Sequence, residues 1–131
     1  MINRSVFDYV NVLDKASDAA WKRNEVIANN LANIDTPYYK RQDVNFEDEL
    51  EKALGYSKYK TMDAKIRDVQ DERLAPRVVN DYSGFSYRLD YNNVDVDTEN
   101  VMLAANQIKY QGLMASLNNE FTNLQAVCKS S

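Results

Sequence analysis

Two long apolar repeats, one near each end of the chain, limit what it can fold into. Stepping by four and three from Val6 gives Val6, Val10, Leu13, Ser17, Ala20, Asn24, Ile27, Leu31 and Ile34, and seven of these nine are apolar. The same stepping from Leu103 gives Leu103, Gln107, Tyr110, Met114, Leu117, Phe121, Leu124 and Cys128, where only Gln107 is a poor core residue. A period of about 3.5 residues is that of a helix packing along a seam. Beside each seam runs a second stripe: Val12, Ala16, Ala19 and Val26 on the first, Val101, Ala104, Ile108 and Ala115 on the second.

The first helix is predicted from Asn3 to Asn33 or Asp35, because Pro37 disfavours helical geometry at Thr36. The second is predicted to begin at Asp97 or Thr98, either of which can cap free N–H groups. Glu99 then sits in the first turn, where the helix dipole favours negative charge. Each helix is roughly 30 residues, or about 45 Å, long. Matched lengths and seams predict that the two pair with each other. An antiparallel hairpin is the natural arrangement, and a parallel one needs the middle segment as a return path. The fold class is therefore mainly α, with an N-terminal helix over 1–36, a middle segment over 37–93 and a C-terminal helix over 94–131. Three Gly and two Pro in 131 residues also favour long uninterrupted elements.

In the middle segment, 46–54 reads as a short helix capped by Asn45. The polar stretch 56–72 lacks periodicity and reads as mobile loop. Residues 76–80 and 85–91 read as strands of a small β-hairpin turning at 80–84. Seven of the nine tyrosines fall in this segment, and their apolar rings and polar tips suit wet interfaces.

Chemistry is hard to find. The chain has no His and one Cys, Cys128, so the commonest general base and metal ligand are absent and no intrachain disulfide can form. Asp95-Val-Asp97-Thr-Glu99-Asn100 alternates acids as a calcium loop does. It has Asn100 where Gly is required and Asn106 where the bidentate Glu belongs. Glu47, Asp48, Glu49 and Glu51 read as a solvated helix face. No catalytic, metal or cofactor site is expected. A net charge of −4 with scattered Lys and Arg argues against nucleic acid. No run approaches the ~20 apolar residues of a membrane span, and none matches a secretory signal. The chain is expected to stay in the cytoplasm or to leave by a route that uses no such signal.

The first helix ends in Ala28-Asn29-Asn30-Leu31-Ala32-Asn33-Ile34-Asp35-Thr36-Pro37-Tyr38-Tyr39-Lys40. Asparagines are poor helix formers, and buried amides need partners that a neighbouring subunit can supply. The residues Ala28, Asn29, Asn30, Ala32, Asn33, Thr36, Tyr39 and Lys40 match the N-terminal pattern of flagellar rod, hook and hook-associated proteins, which this segment resembles. Tyr38 stands where that pattern often has Gly. Asn92-Asn-Val-Asp-Val-Asp-Thr-Glu99, Ala105-Asn-Gln-Ile-Lys-Tyr-Gln-Gly-Leu113 and Phe121 resemble the short proximal-rod members.

The resemblance implies a non-enzymatic structural subunit of the bacterial flagellar basal-body rod, in the periplasm, exported through the flagellar type III apparatus without a cleavable signal. Implied partners are copies of itself, other rod proteins, the rod–MS-ring junction protein and the export apparatus. The seam residues are expected to form the intrasubunit helix pair. Val12, Ala16, Ala19, Val26, Asn29, Asn30, Asn33, Val101, Ala104, Ile108 and Ala115 are expected to contact neighbours. The alternatives are a soluble helical adaptor or export chaperone, and another rod or hook protein.

Overall fold

A computed structural model of the chain describes residues 5–56, 58–69, 74–82 and 88–130. The fold is mainly α, with a long helix at each end and a small two-stranded ribbon between. Helix α1 spans Ser5–Ala32 and helix α4 spans Val96–Lys129. Between them lie β1 (Gln42–Asn45), α2 (Glu47–Leu54), α3 (Met62–Asp68) and β2 (Arg77–Asn80).

The long helices run antiparallel. Asn30 meets Glu99, Asn24 meets Asn106, and Trp21 lies beside Tyr110, so the numbers fall along α1 as they rise along α4. The covered positions of α4 are Glu99, Leu103, Asn106, Tyr110, Leu113, Leu117, Glu120 and Leu124, each buried or partly buried. They repeat by four and three. This stripe shares Leu103, Tyr110, Leu117 and Leu124 with the expected seam, but its other half lies one residue earlier, about 100° around the helix. Met114, Phe121 and Cys128 are accordingly exposed, which corrects their expected place in the seam. A lone partner helix covers only a narrow stripe, and α1 settles over Asn106, Leu113 and Glu120.

On α1, Ala20 and Ile27 are buried against α4, and Val10, Leu13, Leu31 and Ile34 are partly buried. The Val6 side chain is outside the described residues. The second stripe of α1 has another fate than the expected contact with neighbours. Ala19 and Val26 join Val44, Phe46 and Leu74 in the core, with Val12 and Ala16 packed against them. The middle segment therefore folds onto α1 and closes that face.

Strand β1 pairs antiparallel with β2, with Gln42 opposite Asn80 and Asn45 opposite Arg77. The expected hairpin joined 76–80 to 85–91. The observed partner of 77–80 is 42–45, which brings the Val44 side chain onto α1, while 83–87 lie outside the described residues. Helix α2 begins as expected near Phe46, but Asn45 does not cap it, and no side chain does. Glu47, Asp48 and Glu49 in its first turn supply negative charge instead. Helix α3 occupies part of the stretch expected to be loop. Thr61 caps it by accepting from the Ala64 N–H, and Ile66 is buried beneath it. Helix α4 begins one residue before its expected start, because Asp95 is the cap: its carboxylate accepts from the Asp97 N–H and the Thr98 hydroxyl.

Candidate functional site

The asparagine motif and the start of α4 meet in a buried polar clasp. Asn30 sits in the last turns of α1 with 0% exposure, so each of its polar atoms needs a partner. Its Nδ2 donates to the Gln42 carbonyl (2.8 Å) and to Glu99 Oε2 (3.1 Å). Its Oδ1 accepts from the Gln42 N–H (3.0 Å) and the Tyr39 hydroxyl (3.2 Å). One amide thus binds the end of α1, the first strand and the N-terminus of α4 together. Glu99 is likewise 0% exposed and receives Arg41 Nε at 2.5 Å. The same guanidinium reaches Asp81 at 2.8 Å, Asp43 at 3.3 Å and Met102 Sδ at 2.8 Å. Burial works against the Arg41 charge, but Glu99 and Asp43 outweigh it and raise its pKa. Burial, then the Glu99 charge, raises the Tyr39 phenol as well.

A second buried amide closes the turn after α1. Asn92 Nδ2 donates to the carbonyls of Asn33, Ile34 and Thr36 at 2.9–3.0 Å. All three lie past Ala32, the last residue of α1, and the Asn33 and Thr36 carbonyls also accept the backbone N–H groups of Thr36 and Tyr39. Asn92 Oδ1 accepts from the Val94 N–H, so Asn92 also holds the segment that leads into α4. Asn93 Oδ1 accepts from the Arg41 N–H, and Arg88 donates to the Ile34 carbonyl. Lys40 Nζ donates to the Tyr91 carbonyl. Tyr38 has φ 62°, the left-handed conformation usual for Gly, and its ring stacks on Tyr91 with centroids 5.7 Å apart.

Of the motif residues, Asn30 and Tyr39 therefore act inside the subunit. Asn33 is partly buried and donates to the Asn29 carbonyl, and Thr36 donates to Asn33 Oδ1. Asn29, Ala28 and Ala32 are exposed. Asn30 is corrected from a neighbour contact to an internal tie, because β1 supplies the partners expected from another subunit. Arg41, Asp81, Asn92 and Asn93 had no assigned role from sequence, and Glu99 was expected only as a first-turn acid favoured by the helix dipole. The Asn92–Glu99 run had carried the family resemblance without revealing what the residues bind. The acids read against a calcium loop serve as a helix cap, at Asp95, and a buried ion-pair partner, at Glu99.

Outside the clasp, a second charge group pins the middle segment. Glu47 at the start of α2 takes Arg23 of α1 at 2.6–2.7 Å and also Lys109 of α4. Arg23, then Lys109, holds the Glu47 carboxyl far below the usual range. The outward face of α4 is different. Val101 and Ile108 are 70% and 72% exposed, and Ala104 and Ala115 are exposed as well. Between Val101 and Asn119 the only charged residue is Lys109.

Residues 13–40, which contain the asparagine motif, match the family model described as Flagella basal body rod protein. A helix hairpin clasped at this motif is thus the framework of a flagellar rod protein. Curated relatives narrow the class. The chain is 39% identical over 116 residues to flagellar basal body rod protein FlgB of Bacillus subtilis, covering 88% of each chain. It is 31% identical to FlgB of Buchnera aphidicola, over 91% of this chain and 92% of that one. With FlgB of Escherichia coli the identity is 28%, over 83% and 84%. The chain belongs to the FlgB family of flagellar basal body rod proteins.

Proposed function

We propose that the chain is a structural subunit of the flagellar basal-body rod, held as a hairpin by its clasp and assembled through the open face of α4. Similarity to FlgB proteins along most of both chains carries this reading. The open face supports it: Val101, Ala104, Ile108 and Ala115 form an uncharged surface that the single chain leaves in water. Further burial of such a surface against neighbours is favourable at about 25 cal/mol per Å². Those neighbours are copies of the chain, other rod proteins and the rod–MS-ring junction protein. The subunit reaches the periplasmic rod through the flagellar type III export apparatus. No helix among the described residues is long and apolar enough to cross a membrane. Its role is architectural rather than catalytic.

The test is complementation of a strain lacking the gene. The wild-type chain should restore swimming and appear in isolated basal bodies. Ile108→Asp should be stable and exported, yet leave the cells non-motile. Full motility with Ile108→Asp would refute assembly through this face.

A further inference from the structure

A second surface, on the side of the hairpin away from the middle segment, carries features of a docking cleft. Trp21 is 64% exposed, although it is the chain's only tryptophan. Its ring centroid lies 6.2 Å from that of Tyr110, and the two rings wall a cleft of about 440 Å³. Leu117 and Met114 form the apolar floor, and Asp14 and Asp18 stand at the rim. Among the described residues no basic side chain lines it. Exposed tryptophan beside an apolar pocket is a recurrent anchor of protein interfaces. Two carboxylates next to it select a segment that presents apolar or aromatic side chains among positive charges.

This chain carries such a segment. In the connection from α2 to α3 Tyr56 and Tyr59 are exposed, Tyr59 completely, as is Met62 at the start of α3. Lys58 and Lys60 are the only charged residues from Gly55 to Met62. Two positive charges there match two negative charges at the cleft. Lys60 contacts Asp68 at 2.7 Å, but both side chains are more than half exposed. An exposed pair of this kind is worth little and is readily exchanged for another partner.

A copy cannot fill its own cleft. Trp21 follows Ala19 by two residues, about 200° around α1. Ala19 is one of the α1 residues that pack against the middle segment, with Val12, Ala16 and Val26, so cleft and connection lie on different sides of the hairpin. We infer that the Trp21 cleft of one subunit receives Tyr56 or Tyr59, flanked by Lys58 and Lys60, from a second copy. The two surfaces differ, so the contact is heterologous and repeats head to tail, as an open axial assembly requires. The inference rests on the rod reading and names one of its contacts.

Trp21 fluorescence and charge exchange test it together. With rising concentration of the purified chain, Trp21 emission should shift to the blue in step with the mass measured by sedimentation velocity. Asp14→Lys with Asp18→Lys should weaken self-association about tenfold or more, as should Lys58→Glu with Lys60→Glu. Circular dichroism of both should match the wild type, since all four side chains are exposed. Combining the four changes should restore association and the blue shift. A chain that stays monomeric, association without a Trp21 shift, or a combined variant as weak as its parents would each overturn the inference. So would a Trp21 shift seen only when a different rod protein is added. Swimming assays separate this failure from that of the rod reading. If the gene is dispensable for motility the rod reading fails, whereas if only the charge exchange fails to restore motility the docking contact is wrong.

Discussion

Glu99 is the residue on which the clasp depends. It sits one turn inside α4, where the helix dipole favours its charge, and Arg41 supplies the counter-charge at 2.5 Å. Removing Glu99 takes the closest and most buried carboxylate from Arg41 and leaves it the partly exposed Asp81 and Asp43. Glu99→Ala is expected to cost at most about 3 kcal/mol, the lower end for a wholly unpaired buried charge, read as a lowered midpoint in urea unfolding. Glu99→Gln should cost less, because its amide oxygen still accepts from Arg41. Tyr38 shows a different balance. A non-glycine residue in the left-handed region is strained by about 1–2 kcal/mol, and stacking on Tyr91 returns about 0.5–1.5 kcal/mol. Tyr38→Gly should therefore change stability by less than about 1 kcal/mol, whereas Tyr91→Ala, which removes the stacking and leaves Tyr38 strained, should destabilise measurably by the same assay. The family resemblance had marked Tyr38 as the departure from the pattern. Its positive φ, 62°, explains why Gly often stands there.

At the scale of elements, the two faces of α4 are expected to separate stability from assembly. Leu117 is buried against α1, so Leu117→Asp should lower thermal stability by several kcal/mol, an estimate for an unpaired buried charge of about 3 kcal/mol or more. Ile108→Asp should leave the melting temperature of the dilute chain nearly unchanged. Equal loss of stability in both would mean that the open face is covered in the isolated chain. The attachment of α2 also carries a pH dependence. Arg23 and Lys109 depress the folded-state pKa of Glu47, so the unfolded chain binds its proton more readily. The contribution is fully present above the ordinary value of 4.5 and is lost as pH falls below it toward strong acid. Glu47→Gln should flatten the stability–pH curve in that acid range and leave the neutral-to-alkaline slope unchanged. Urea midpoints from pH 2 to 8 give both slopes.

The whole molecule is tied unevenly. The clasp, the core around Val44, Phe46 and Leu74, and the Glu47 group all act on α1 from Val12 onward and on α4 from Glu99 to Leu117. From Gln125 to Lys129 every residue of α4 is exposed. Amide hydrogen exchange should therefore be slow over 17–31 and 99–117 and fast over 120–129 in the dilute chain. Protection of 120–129 should appear on assembly. Uniform slow exchange along α4 in the monomer would mean that the hairpin is rigid without neighbours.

The sequence by itself determined that two long helices bracket a small mixed segment, because periodicity is a local property and Pro37 marks the first stop. It also carried the family, because Asn29, Asn30, Asn33 and the Asn92–Glu99 run lie at fixed spacings. It did not determine which half of the α4 repeat faces α1. Met114, Phe121 and Cys128 are more apolar than Asn106, Leu113 and Glu120 as a set, so composition favoured the wrong stripe. Only the tertiary structure decides this: the Asn106 Nδ2 finds acceptors in the Ala20 carbonyl and Asn24 Oδ1 at 2.7 and 2.8 Å, while its buried Oδ1 has no partner among the described residues. The same holds for Asn30 and Glu99, 69 residues apart. A buried amide or carboxylate is stable only where its partners arrive, and those partners are set by the packing of distant segments.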